Sequence, residues 1–124
     1  MSVTHRQVTL RKEAKMKVAK FGGTSLANAF QIKKVCDIVL ADSDRRIVVV
    51  SAPGKRTKED IKVTDLLIAV AKARLAGNDY KEELNAVVER YREIADDLNI
   101  EDILPEIRET LETVAGADYN DDVK

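Results

Sequence analysis

The sequence predicts an α/β fold, with a mainly parallel sheet at the front and a helix-rich C-terminal half. Three observations carry that prediction. A short apolar run at Lys17–Phe21 ends in two glycines, and a continuous β-branched run stands at Ile47–Val50. Helical periodicity fills the interval between them and most of the chain beyond Leu66.

Lys17-Val18-Ala19-Lys20-Phe21 reads as a buried strand entering a tight turn at Gly22-Gly23. Thr24, Ser25 and Asn28 are all suited to cap the helix that follows. Ile32, Val35, Cys36, Val39 and Leu40 recur on one helical face, which makes Cys36 a buried small hydrophobe. The polar cluster Asp42–Arg46 ends that helix. Ile47-Val48-Val49-Val50 is then expected to be a strand covered on both faces, with neighbours on both edges. Strand, helix, strand in this order makes a βαβ unit.

Pro53-Gly54 favours a turn directly after the second strand, opening a charged loop that runs to about Lys62. The cluster Lys55–Asp60 is expected to be solvated and mobile, and able to close near the site. Leu66, Leu67, Ile68, Val70 and Ala71 are apolar on nearly all sides, which predicts a deeply packed helix ending near Gly77. Leu84, Val87, Val88, Tyr91, Ala95 and Leu98 form an amphipathic stripe, with Glu82, Glu83, Glu89 and Arg90 on its solvated face. Ile103, Leu104, Ile107, Leu111 and Val114 form another, with Pro105 tolerable in the first turn. Residues 1–16 read as a loose N-terminal extension and 119–124 as a disordered tail. Two strands against four helices make a poor complete α/β domain, so the chain reads as part of a larger sheet.

Composition narrows the function. With 124 residues, 44% hydrophobic and 35% charged, the chain has an ordinary soluble composition and enough length for one core. A net charge of −1 and only 4% aromatics give no broad field or stacking surface for nucleic acid. No apolar run approaches the roughly 20 residues that span a bilayer, and the first fifteen residues lack a secretory apolar core, so a cytoplasmic protein is expected. One cysteine, Cys36, and one histidine, His5, argue against zinc chemistry and against Ser-His or Cys-His catalysis. Asp121-Asp122, in the tail, is a poor metal site, and no metal ligand is assigned.

The informative feature is Lys20-Phe21-Gly22-Gly23-Thr24-Ser25 at a strand-to-helix junction. Glycines let backbone N–H groups approach a phosphate, and the following helix N-terminus adds unpaired donors. Lys20 can set an ammonium against a transferring phosphoryl group, where charge stabilisation and positioning are most of the catalysis. A bare Gly-Gly is more often a plain turn, and the full hexapeptide in this setting reverses that preference. It is neither the P-loop nor the dinucleotide fingerprint.

This hexapeptide resembles the signature of the aspartate kinases, within the amino-acid kinase superfamily. The resemblance continues through Val48-Val49-Val50-Ser51-Ala52-Pro53-Gly54-Lys55 and Val63-Thr64-Asp65-Leu66-Leu67, and covers residues 17–118. It implies the N-terminal part of a three-layer amino-acid-kinase-type domain that transfers the γ-phosphoryl of ATP, with Mg2+ held through the ATP phosphates, to the side-chain carboxylate of L-aspartate. By the same resemblance Lys20 would bridge the ATP phosphates and the aspartate carboxylate. Gly22 and Gly23 would supply close backbone approach, with Phe21 and Thr24 framing the turn. Ser51 would face the substrate, and Thr64 would offer it a hydroxyl. Each of the last two also has a plain reading as a local cap.

The family's catalytic domain is longer than this chain, and ACT domains usually follow it. Its amino-group-recognising glutamate, its glycine-serine-aspartate segment and its second lysine have no counterpart here. The expectations are therefore an isolated chain without kinase activity, a need for the remainder of the domain as partner, and self-association. The competing expectation is a phosphate-binding or interaction module without catalysis.

Overall fold

The computed structural model describes residues 15–117. Strand β1 (Lys17–Phe21) leads through a 3-10 turn (Gly23–Leu26) into helix α1 (Ala29–Leu40) and strand β2 (Arg45–Val50). Three helices follow: α2 (Val63–Leu75), α3 (Lys81–Leu98) and, after a 3-10 turn at Glu101–Ile103, α4 (Leu104–Ala115). The expected loose ends fall almost wholly outside the described residues.

β1 and β2 pair in parallel, with Val18 opposite Ile47 and Phe21 opposite Val50. The pairing shifts between Lys17 and Val18, where the Lys17 ammonium also reaches Asp42 at 2.6 Å. Asn28 is the residue that caps α1, its side-chain oxygen accepting from the Gln31 N–H at 3.0 Å. Asn99 closes α3 in the left-handed conformation at φ 58°, which a short polar side chain tolerates. It lets the Ile100 N–H return to the Ala95 carbonyl at 2.9 Å. Pro105 sits in the first turn of α4, where its missing N–H costs nothing.

The core lies among the helices rather than against the sheet. Val63 and Val70 from α2, Leu84 and Val87 from α3, and Ala115 from α4 form its buried cluster. Ala52, Leu66, Tyr80, Tyr91 and Leu111 pack around it half-buried. Through Ala52 the segment after β2 is tied to the helical core, which fixes the end of the sheet relative to α2 and α3.

Several expectations about burial are corrected. β1, expected to be a buried strand, leaves Val18 61% exposed. Among the described residues β2 has one neighbour, β1, and Ile47–Val50 are between 41% and 59% exposed rather than covered on both faces. Nothing described packs across the sheet closely enough to shield them. α2 buries Val63 and Val70 and leaves Leu67 and Ile68 exposed, so its apolar residues are shared between the core and an open side. Cys36 is exposed, since Ala29 and Val35 are the residues α1 buries.

Candidate functional site

Gly22 follows β1 in extended backbone, at φ −78° and ψ 175°, and Gly23 opens the 3-10 turn. The Ser25 N–H closes that turn on the Gly22 carbonyl at 3.1 Å. At the end of the neighbouring strand the chain runs Ser51-Ala52-Pro53-Gly54, and the two loops touch. The Gly54 N–H donates to the Gly23 carbonyl at 2.7 Å. A Cβ on Gly54 would lie 2.7 Å from the Gly23 carbonyl carbon, and one on Gly23 would lie 3.0 Å from the Ala52 carbonyl oxygen. Gly54 needs glycine because backbone meets backbone, and Gly23 has only tight room for a side chain.

Gly22 has the opposite environment. A Cβ there would meet nothing within 4 Å, and its φ suits any residue. Protein packing makes no demand for glycine at this position, so the open space is available to a ligand approaching the backbone.

A cleft of about 340 Å³ opens beside the turn, lined by Gly23, Thr24, Ser51, Ala52, Gly54, Lys55, Lys62 and Thr64. Four residues expected from the sequence therefore come together: Gly23, Thr24, Ser51 and Thr64. Lys20 and Phe21 end β1, Gly22 directly follows it, and none of the three lines the cleft. Lys20 lies opposite Val49, exposed, and forms no side-chain hydrogen bond or ion pair among the described residues. The two ionisable groups in the lining, Lys55 and Lys62, are both cations. In a chain of net charge −1 this is a local surplus of positive charge.

Sequence reasoning assigns no site role to four contributors. It marks Gly54 as a turn residue, Lys55 as part of a solvated loop that could close near the site, and Lys62 as the end of that loop, although Gly54 and Lys55 follow a strand end beside the glycine turn. The fourth is Arg90, expected on the solvated face of α3 but 4% exposed in the structure. Its Nη2 donates to the Gly54 carbonyl at 2.5 Å.

The loop from Lys55 to Asp60 is also more ordered than a mobile loop. Arg56 donates from its backbone N–H (2.9 Å), Nε (2.6 Å) and Nη2 (2.8 Å) to the Asp60 carboxylate. These bonds hold the Asp60 carboxyl well below the usual carboxylate range, and the same partnership raises Arg56. Arg56 Nη1 also bonds Glu93 on α3. Burial pulls the Arg90 guanidinium downward, helped by the nearby Arg56 and opposed by Asp60 and Glu93; an arginine keeps its charge regardless. A larger cleft, about 600 Å³, lies along this network and is lined by both signs of charge, including Arg56, Asp60, Arg90 and Glu93. Those charges already face one another, whereas the ionisable groups of the smaller cleft carry one sign only.

Comparison with known proteins places this geometry. The model of the amino acid kinase family matches residues 15–112. Aspartokinase 3 of Bacillus subtilis (strain 168) is 52% identical over 104 residues, which is 83% of this chain and 23% of that protein. The crystal structure of Clostridium acetobutylicum aspartate kinase superposes with a TM-score of 0.71 at 38% identity, over 84% of this chain and 24% of that one. E. coli aspartokinase III in complex with aspartate and ADP gives a TM-score of 0.54 at 30% identity, over 85% of this chain and 24% of that one. The chain thus spans about a quarter of the length of these relatives. Glycine turn, parallel strand pair and family match agree along the same residues, and the chain belongs to the amino acid kinase family.

Proposed function

We propose that this chain supplies the phosphate-capturing part of an aspartate kinase. The enzyme transfers the γ-phosphoryl of ATP to the side-chain carboxylate of L-aspartate and gives 4-phospho-L-aspartate, the first step towards lysine, threonine and methionine. The observation that carries the reading is the contact of Gly23 with Gly54, which sets two parallel strand ends around one cationic cleft.

Each residue then has a definite task. Gly22 leaves room for a phosphate oxygen against the backbone, and Gly23 and Thr24 shape the turn that presents N–H donors. Lys20, with no side-chain partner among the described residues, neutralises charge on the phosphates and on the acceptor carboxylate. Ser51 and Thr64 orient L-aspartate by hydroxyl hydrogen bonds, and Phe21 holds the strand end from which the turn departs. Bound ATP supplies the transferable phosphoryl group. Mg2+ would enter on the ATP phosphates.

Adenine recognition and capture of the aspartate amino group fall to segments outside the matched quarter. The open faces of Ile47–Val50 favour packing with the remainder of a kinase domain, with ACT domains, or with a second copy. The composition suits the cytoplasm. No helix among the described residues is long and apolar enough to cross a membrane.

Calorimetric titration of the folded chain with magnesium-ATP tests the capture step. Binding that Lys20→Ala weakens by about tenfold or more is expected. Binding that Lys20→Ala leaves unchanged would remove Lys20 and its turn from the reading.

A further inference from the structure

Arg90 is buried in a way that stability alone does not reward. A guanidinium carries five N–H donors, yet Arg90 makes one close hydrogen bond, from Nη2 to the Gly54 carbonyl. Its Nε and Nη1 are buried without a hydrogen-bond partner among the described residues. The nearest carboxylate oxygen, on Asp60, is 3.8 Å from Nη2. Desolvating a cation for so little return is costly. Breaches of this kind gather at functional sites, where they hold a geometry that packing would not hold.

The residue that Arg90 holds is the one on which the glycine turn rests. Gly54 is fixed on both sides: its N–H by the Gly23 carbonyl at 2.7 Å and its own carbonyl by Arg90. The adjoining Pro53 carbonyl accepts the Val63 N–H at 3.0 Å, one residue before Thr64. Both loops of the cleft and the start of α2 therefore converge on Pro53-Gly54, and α3 reaches that point through Arg90.

We propose that Arg90 is a positioning residue for the phosphate cradle: it acts through the Gly54 carbonyl to hold Gly54 against Gly23 and so sets the spacing of the glycine turn from Ser51 and Thr64. Its influence on ligand binding rests on the reading of the turn as a phosphate site, whereas its influence on the loop does not.

Site-resolved amide exchange of the full chain separates the two. In Arg90→Met, exchange at the Gly54 and Val63 amides should rise about tenfold or more, while the Ile32 amide in α1 and the Ala95 amide in α3 hold theirs. Magnesium-ATP affinity should fall at least about fivefold, which is just under 1 kcal/mol. Arg90→Lys, which keeps the charge but not the planar fork, should recover part of both. Unchanged exchange at Gly54, or a rise spread evenly over all four amides, would overturn the proposal and leave Arg90 a core residue. Should Arg90→Met fail to fold, the same comparison in Arg90→Lys decides. If the unsubstituted chain does not bind magnesium-ATP, the phosphate reading fails, and the Gly54 exchange still decides the role of Arg90.

Discussion

Gly23 and Gly54, from loops that follow two different strands, are in backbone contact, with the Gly54 N–H on the Gly23 carbonyl at 2.7 Å. Any Cβ on Gly54 would fall 2.9 Å from that same carbonyl oxygen. Side-chain rearrangement cannot relieve the clash, because the obstructing atoms are backbone. Gly54→Ala is therefore expected to part the two loops and weaken magnesium-ATP binding by about tenfold or more. Gly22→Ala, with nothing within 4 Å of its new methyl, should leave stability within about 0.5 kcal/mol and impair binding alone. Thermal melts and calorimetry on the two variants check the contrast.

The Arg56–Asp60 pair makes a pH prediction. The folded state lowers the Asp60 pKa below its ordinary value of 3.8, so the pair stabilises the fold above that value. The contribution is lost as pH falls through the depressed folded-state value. The difference in melting temperature between the unsubstituted chain and Asp60→Asn should hold steady between about pH 5 and 7 and shrink below about pH 4. A difference that grows on acidification would contradict the assignment.

Core and surface should separate cleanly by substitution. Leu84 is 6% exposed within the helical cluster, and Leu84→Ala should cost about 2–5 kcal/mol. Leu40 is 82% exposed despite its place in the apolar stripe of α1, and Leu40→Ala should change stability by no more than about 0.5 kcal/mol. Denaturant melts measure both.

Cys36 lies exposed on α1. Its thiol should react with a small disulfide reagent in the native chain at nearly the rate seen in denaturant. Strong protection in the native state would show that its face of α1 is covered in solution.

The elements are legible in the sequence because local signals agree along the chain. The β-branched run, the Asn28 cap and the stripe of α3 each point one way, and Gly22-Gly23 marks the turn between strand and helix. Coverage is less legible. Ile47–Val50 reads as a strand buried on both faces because its composition suits a completed sheet, and the described residues supply only β1 beside it. Cys36 lies within the apolar stripe of α1, yet Ala29 and Val35 are the residues that the described neighbours cover, which periodicity alone does not reveal. Arg90 is hidden for another reason. Beside Glu89 it looks like an ordinary solvated charge, and its partner in the fold is the carbonyl of Gly54, thirty-six residues earlier.

A graft tests most directly whether this chain carries the phosphate-capturing part of an aspartate kinase. Residues 15–112 of this chain would replace the matching segment of Bacillus subtilis aspartokinase 3, and formation of aspartyl phosphate would be trapped as its hydroxamate. The expected result is an active chimera that loses about 100-fold or more of its activity on Lys20→Ala. A folded chimera that forms no aspartyl phosphate, or one indifferent to Lys20→Ala, would contradict that assignment.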